Sequence, residues 1–216
     1  MTTILMIGLV ATALGLVLGR WTRRTLAELG YRTDEEQALP RPGPQHWITW
    51  TSGLAVGSIA TWIAGTNSWP LAPVLLPLTL AGPALAAIDL DVMRLPNNIL
   101  GPVAIITLTG LTSTIATEGR PDTVLRGAAG ALLAGGAFWL LSAITRGGIG
   151  FGDVKLAGII GGATGTLSFA VGWWAALIAA LSALVWARVG GRTPPVAYGP
   201  WLLLGCWIAT LVAGAR

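Results

Sequence analysis

The stretch at residues 150–156 reads Gly-Phe-Gly-Asp-Val-Lys-Leu. It places Asp153 and the only lysine of the chain, Lys155, between two long apolar segments. Taking a carboxylate out of water is costly, so an acid at the mouth of a membrane helix is a candidate functional residue. We expect Gly150 and Gly152 to permit backbone angles and close approaches that side chains would block.

The composition is that of a membrane protein. The 216 residues are 54% hydrophobic and 10% charged, with a mean hydropathy of +0.72, whereas soluble domains are about 25% charged. Most of the apolar segments are close to the roughly 20 residues that cross the hydrocarbon layer. The sequence therefore predicts an all-α fold, a polytopic transmembrane bundle of about eight helices. The segments are 2–19, 47–66, 71–88, 98–116, 124–144, 154–170, 172–187 and 197–214.

The basic residues predict how the chain lies in the membrane. Counting Lys155, ten of the thirteen lysines and arginines fall in or beside four alternate loops, at 20–46, 89–97, 145–153 and 188–196. Cytoplasmic loops carry an excess of such residues, so these loops are predicted to be cytoplasmic and the N-terminus to lie outside. Because orientation accounts for the basic residues, the net charge of +4 does not indicate nucleic-acid binding.

Three of the nine acids stand out, because the other six lie in predicted loops where water solvates them. Asp89 and Asp91 follow an apolar segment, and Asp153 precedes one on the same predicted membrane face. Two carboxylates that share a proton can activate water and protonate a leaving nitrogen, which is the requirement for peptide hydrolysis. Residue chemistry leaves two structural alternatives open: Asp153 as a helix cap, and Asp89 as a solvated acid paired with Arg94.

Three segments carry a resemblance to a known family. Residues 150–155 resemble the GxGD motif of the type IV prepilin peptidases, which are membrane-embedded aspartic proteases. Residues 89–97, Asp-Leu-Asp-Val-Met-Arg-Leu-Pro-Asn, resemble the family's other aspartate motif, and residues 196–202, Val-Ala-Tyr-Gly-Pro-Trp-Leu, its late Gly-Pro stretch. The three occur in the family's order and span about residues 83–203.

The resemblance implies catalytic roles for Asp89 and Asp153, because these two occupy the places of the family's aspartates. Asp91 is closer to the motif's proline than the family's counting allows, so we expect a supporting role. If 89–91 is helical, Asp89 and Asp91 point to nearly opposite sides. Gly150 and Gly152 would shape the peptide-binding turn, and we expect Lys155 to lie near Asp153, where it favours the charged form or holds a carbonyl.

The resemblance further implies a substrate, a location and a division of the chain. The substrate is the basic leader of a prepilin or pseudopilin, cut at the cytoplasmic face of the cell membrane, and the chain is a multi-pass protein in contact with lipid. No metal or organic cofactor is implied. Residues 1–80 would hold the N-terminal membrane helices with the arginine-rich loop 20–46, and residues 81–216 the peptidase core.

One family feature is missing from this sequence. Many members carry an N-terminal insert with paired Cys-x-x-Cys zinc ligands that is linked to N-methylation, but this chain has no cysteine before Cys206. The resemblance is therefore to a form that lacks the insert. Two other functions stay open: a proton-coupled transporter or channel subunit that relays protons through the same acids, and a structural subunit of a pilus or secretion machine.

Overall fold

The computed structural model describes residues 1–119, 121–145, 148–189 and 197–214, with side chains throughout except at 115–118. Several residues used in the predictions above lie outside this description. They are Arg120, Arg146, Arg192, Val196 and Arg216, together with the side chain of Glu118.

The described residues form eight α-helices. In chain order these are α1 (Thr2–Ala27), α2 (Trp47–Thr66), α3 (Ala72–Val92), α4 (Asn97–Glu118), α5 (Pro121–Ile144), α6 (Phe151–Leu167), α7 (Phe169–Val189) and α8 (Gly199–Ala213). The prediction of an all-α membrane bundle is confirmed, and each predicted apolar segment corresponds to one helix.

Length and composition separate the helices into two groups. Within the described part of the chain, four helical segments are long and apolar enough to cross a membrane, namely Thr2–Ala27, Trp69–Val92, Pro121–Ile144 and Phe169–Val189. The sequence-based expectation of a span at every segment is therefore met at four of them. Large apolar side chains point outward on these helices, for example Val17 on α1 and Leu133 on α5, as expected for surfaces that face lipid.

Two predicted boundaries differ from the structure. The first helix does not end at residue 19, because α1 continues through Arg20, Arg23 and Arg24 to Ala27. The loop that follows α1 contains only a short 3-10 helix at Glu36–Ala38. The boundary between the sixth and seventh segments, predicted at residue 171, is a single extended residue, Ser168, with φ −172° and ψ 160°.

Close packing of consecutive helices builds most of the bundle, and glycine permits it. Gly130 of α5 and Gly161 of α6 face each other so closely that a Cβ on either would lie 2.3 Å from the other's carbonyl oxygen. Small residues allow such approaches between membrane helices. The α3 helix contacts α2, α4, α6 and α8, and its Leu85 is fully buried in one apolar cluster with Leu156 of α6 and Leu202 of α8.

Candidate active site

Asp89 is buried in the last two turns of α3. Asp89 is only 2% exposed. Its Oδ2 accepts a hydrogen bond of 2.9 Å from the backbone N–H of Gly199, the first residue of α8. The alternative of a solvated Asp89 paired with Arg94 is not what the structure shows. Arg94 instead donates to the carboxylate of Glu36, at 2.7 and 3.0 Å.

Asp153 is buried in the first turn of α6. It is 7% exposed, and its Oδ1 has no hydrogen-bond partner among the described residues. Asp153 is not the N-cap residue, which is Gly150, but it does lie in the first turn of α6, where the helix dipole favours an acid. Like Asp89, Asp153 is therefore a buried carboxyl at the end of a helix.

The beginning of α6 lies directly against the segment that follows α3. A Cβ at Gly152 would lie 2.9 Å from the Cβ of Leu95 and 3.3 Å from its backbone nitrogen. Because α3, α6 and α8 also contact one another, three sequence motifs from distant parts of the chain meet at one end of the bundle. Two buried carboxyls therefore come from α3 and α6, and that of Asp89 accepts a hydrogen bond from the backbone of α8.

Neither glycine of the 150–156 turn is needed for unusual torsion angles, and only Gly152 is needed for space. Gly150 has φ −66° and ψ 145°, which any residue adopts, and Gly152 is helical. The expectation of special backbone angles was therefore wrong, whereas the expectation of close approach describes Gly152 well. At Gly150 a Cβ would come within 3.4 Å of Asp153 Oδ2, an ordinary contact.

The two other predicted site residues do not join the buried pair. Asp91 lies on another side of the last turn of α3, where Arg32 and Tyr31 donate hydrogen bonds to its carboxylate. Lys155 is exposed, its ammonium group donates to Oδ1 of Asn97 at 2.7 Å, and it lies 5.2 Å from the ring centre of Phe151. Lys155 thus holds a carbonyl oxygen, that of a side-chain amide, on the chain itself.

Sequence reasoning missed two residues that hold the acids in place. Gly199 lies 110 residues after Asp89, and the Gly-Pro motif marked its neighbourhood without indicating a role. Arg32 lies 59 residues before Asp91 and was counted only as a basic loop residue. Arg32 differs from the other basic residues of the loop in being buried, and a count of charges along the sequence cannot show this.

In the loop that contacts the end of α3, ionisable side chains have pKa values far from their usual range. The hydrogen bonds from Arg94 lower the pKa of Glu36 to about 2, and the same contact raises the pKa of Arg94. Burial raises the pKa of Tyr31 to about 12, with a further contribution from its hydrogen bond to Asp91. Within the described residues, no group of three or more His, Cys, Asp or Glu side chains is arranged to hold a metal ion.

The chain is similar in sequence to known proteins. A prepilin leader peptidase/N-methyltransferase of Aeromonas salmonicida (strain A449) is 31% identical over 172 residues, covering 73% of this chain and 55% of that protein. One of the same name from Aeromonas hydrophila is 30% identical over 174 residues with the same coverage.

The chain thus spans about half the length of the curated relatives it matches. No solved structure matches it. The sequence profile of the Type IV leader peptidase family matches residues 74–189, from α3 to the end of α7. Since this match covers more than half of the residues, the chain belongs to the Type IV leader peptidase family.

Proposed function

We propose that this chain is a membrane aspartic endopeptidase that removes the basic leader from type IV prepilins or pseudopilins. Asp89 and Asp153 are the proposed catalytic residues, and the cut is made at the cytoplasmic face of the cell membrane. The observation that carries the proposal is the buried pair itself: both carboxyls are removed from solvent, and Asp153 Oδ1 has no partner among the described residues. The proposal covers leader cleavage alone and not methylation.

The proposed reaction is the hydrolysis of one peptide bond by water. The ionised aspartate accepts a proton from water, whose oxygen attacks the carbonyl carbon. The protonated aspartate hydrogen-bonds to the carbonyl oxygen as negative charge develops there. As the C–N bond breaks, the nitrogen leaves with a proton from the pair, giving a carboxyl group on the leader and an amine on the mature protein.

The hydrogen bond from Gly199 supports a defined position for one member of the pair. A carboxylate that accepts a backbone N–H cannot rotate freely about its side-chain torsion angles, and fixed geometry is a large part of catalytic rate. Asp89 is therefore anchored from α8, whereas the Oδ1 of Asp153 faces no protein donor in the described residues. Oδ1 of Asp153 is therefore available to bind water or the substrate, while Asp89 is held in place.

Contacts of the 28–46 loop support the cytoplasmic location. Arg32 of this loop bonds Asp91 at the end of α3, and Arg94 bonds Glu36 of the loop. The arginine-rich segment 20–46, formed by the end of α1 and this loop, is therefore at the same end of the bundle as the buried pair. Since arginine-rich loops favour the cytoplasmic side, a cytoplasmic active site is the orientation that agrees with both observations.

Cleavage of a membrane-inserted prepilin-like substrate tests the proposal. Wild type is compared with Asp89→Asn and Asp153→Asn, with thermal unfolding measured in parallel and Asp122→Asn as a control at a distant, largely exposed ion pair. We expect wild type and the control to cut, and both site variants to fold without cutting. Cleavage by both variants would refute the catalytic pair, and proton flux through reconstituted vesicles without cleavage would favour the transporter.

A further inference from the structure

The segment at residues 31–40 is fastened to the end of α3 by a buried arginine. Arg32 donates to both carboxylate oxygens of Asp91, from Nε at 2.8 Å and from Nη2 at 2.7 Å. Its remaining N–H groups bond the backbone oxygens of Glu36 at 3.3 Å, Leu39 at 2.8 Å and Pro40 at 2.8 Å. All five guanidinium donors are therefore used, and the side chain is 0% exposed.

A second arginine holds the same segment from the other direction. Arg94, two residues beyond α3, donates to both carboxylate oxygens of Glu36 and to the backbone oxygen of Tyr31. Glu36 also accepts the backbone N–H of Thr33 at 2.8 Å. Two bidentate arginine–carboxylate pairs thus hold the segment, one to α3 and one to the residues just after it, and this geometry fixes orientation.

The turn of α3 that receives these contacts is the turn that carries Asp89. Asp91 follows Asp89 by two residues, and the helix ends at Met93, whose φ is 52° and whose backbone N–H bonds the Asp89 carbonyl oxygen at 2.9 Å. The last carbonyls of a helix have no partners of their own, so such ends fray unless something holds them. Here Arg32 holds the last turn of α3 through the Asp91 side chain, and Arg94 holds the chain just beyond α3 to the same loop.

We infer that Arg32 is a positioning residue for the peptidase reaction: through Asp91 it fixes the last turn of α3 and thereby sets the Asp89 carboxyl against Asp153. The inference rests on the proposed function. It also gives the loop between α1 and α2 a part in the active site, although that loop lies outside the residues 74–189 that match the family profile.

The burial of the Arg32–Asp91 ion pair is better explained by positioning than by stability. Taking two charges out of water is costly, and a buried ion pair is only weak evidence for stability, because apolar residues of similar volume often stabilise a fold as well. The five hydrogen bonds of Arg32 fix both the distance and the angle between the loop and α3, which apolar packing does not do. Displacing a catalytic group by about 1 Å lowers the rate by as much as about 100-fold.

The test is Arg32→Lys, which keeps the charge but loses the planar fork of donors. Cleavage of the prepilin-like substrate is measured as kcat, KM and a pH–rate profile, with rates divided by the folded fraction. Arg126→Lys is the matched control, because Arg126 pairs with Asp122 at a distant and partly exposed site on α5. Glu36→Gln, which weakens the second and more exposed contact, is the milder variant should Arg32→Lys fail to fold.

We expect Arg32→Lys to lower kcat per folded molecule by about 10- to 100-fold with little change in KM, and Glu36→Gln to lower it by a smaller factor. A displaced Asp89 changes the coupling of the two carboxyls, so the limbs of the pH–rate profile should move. Loss of folded enzyme alone scales the profile without moving its limbs.

Two results overturn the inference in distinguishable ways. If wild type cuts and the folded variants cut at the wild-type rate with an unmoved profile, Arg32 has only a structural role and the proposed function stands. If wild type itself does not cut the substrate, the proposed function fails, and the inference fails with it.

Discussion

Replacing Gly199 by alanine tests the anchoring of Asp89 directly. An alanine Cβ at this position would lie 2.8 Å from Asp89 Oδ2 and 3.3 Å from its Cγ. A Cβ so close to an oxygen atom is a steric overlap, so Asp89 or the start of α8 must move by several tenths of an ångström. Because a shift of about 1 Å costs up to about 100-fold, we expect kcat to fall by about tenfold.

Stability should change by an amount similar to the activation free energy. Alanine stabilises a helical position by about 0.5–1 kcal/mol relative to glycine, while crowding in a packed site costs about 1–3 kcal/mol. The net change in stability is therefore a loss of at most about 2.5 kcal/mol, against about 1.4 kcal/mol for a tenfold fall in kcat, so kcat is measured per folded molecule. The assay compares kcat and melting temperature with those of Gly136→Ala on α5, where an added Cβ meets no atom within 4 Å. A Gly199→Ala enzyme with the wild-type kcat would refute the anchoring role.

Three further outcomes follow from the same geometry. Gly152→Ala forces its new methyl group to within 2.9 Å of Leu95, so we expect a loss of about 1–3 kcal/mol, read as a lower melting temperature; an unchanged one would contradict the packing. Arg94 lowers the pKa of Glu36 from 4.5 to about 2, so the contact stabilises the fold above about pH 4.5 and is lost as the pH falls toward 2. The melting temperature of wild type should therefore drop over this pH range, and the drop should be smaller in Glu36→Gln. The substitution itself costs about 0.5–1 kcal/mol at neutral pH, because the ion pair is partly exposed. The cleavage rate should be bell-shaped in pH, since a pair sharing one proton works in one of three protonation states; a rate flat from acid to alkaline pH would contradict the two-carboxyl mechanism.

The helices and the candidate acids were predictable because both depend on local sequence. A run of about 20 apolar residues identifies a membrane helix by itself, and Asp89 and Asp153 are conspicuous beside such runs in a chain with so few acids. The extension of α1 past Arg20 was missed for a related reason. Hydropathy reports where a helix leaves an apolar environment and not where its hydrogen bonding ends, and α1 continues to Ala27.

The contacts that hold the acids were not predictable, because they join residues distant in the chain. The partner of Asp89 is a backbone N–H from α8, and a backbone group leaves no trace in residue types. Arg32 and Arg41 are indistinguishable in a charge count, yet Arg32 is buried and Arg41 is exposed. Which arginine reaches Asp91 depends on the path of the loop, and that path is set by tertiary contacts.

The two aspartates that flank Leu90 show how structure separates roles that sequence leaves together. Asp91 is surrounded by donors, from Arg32 and Tyr31, so its charge is fully used in holding the loop to α3. Asp89 is more deeply buried and accepts one backbone hydrogen bond.

Its counterpart Asp153 has an oxygen without any donor in the described residues, which costs about 1–3 kcal/mol in an ordinary interior. Folded proteins rarely keep such a group buried without a use for it. Asp91 accepts three side-chain hydrogen bonds of the roughly four that a carboxylate can take, whereas Oδ1 of Asp153 accepts none from the described residues. This distribution of donors agrees with the proposal that Asp91 holds the loop and that Asp89 and Asp153 carry out the chemistry.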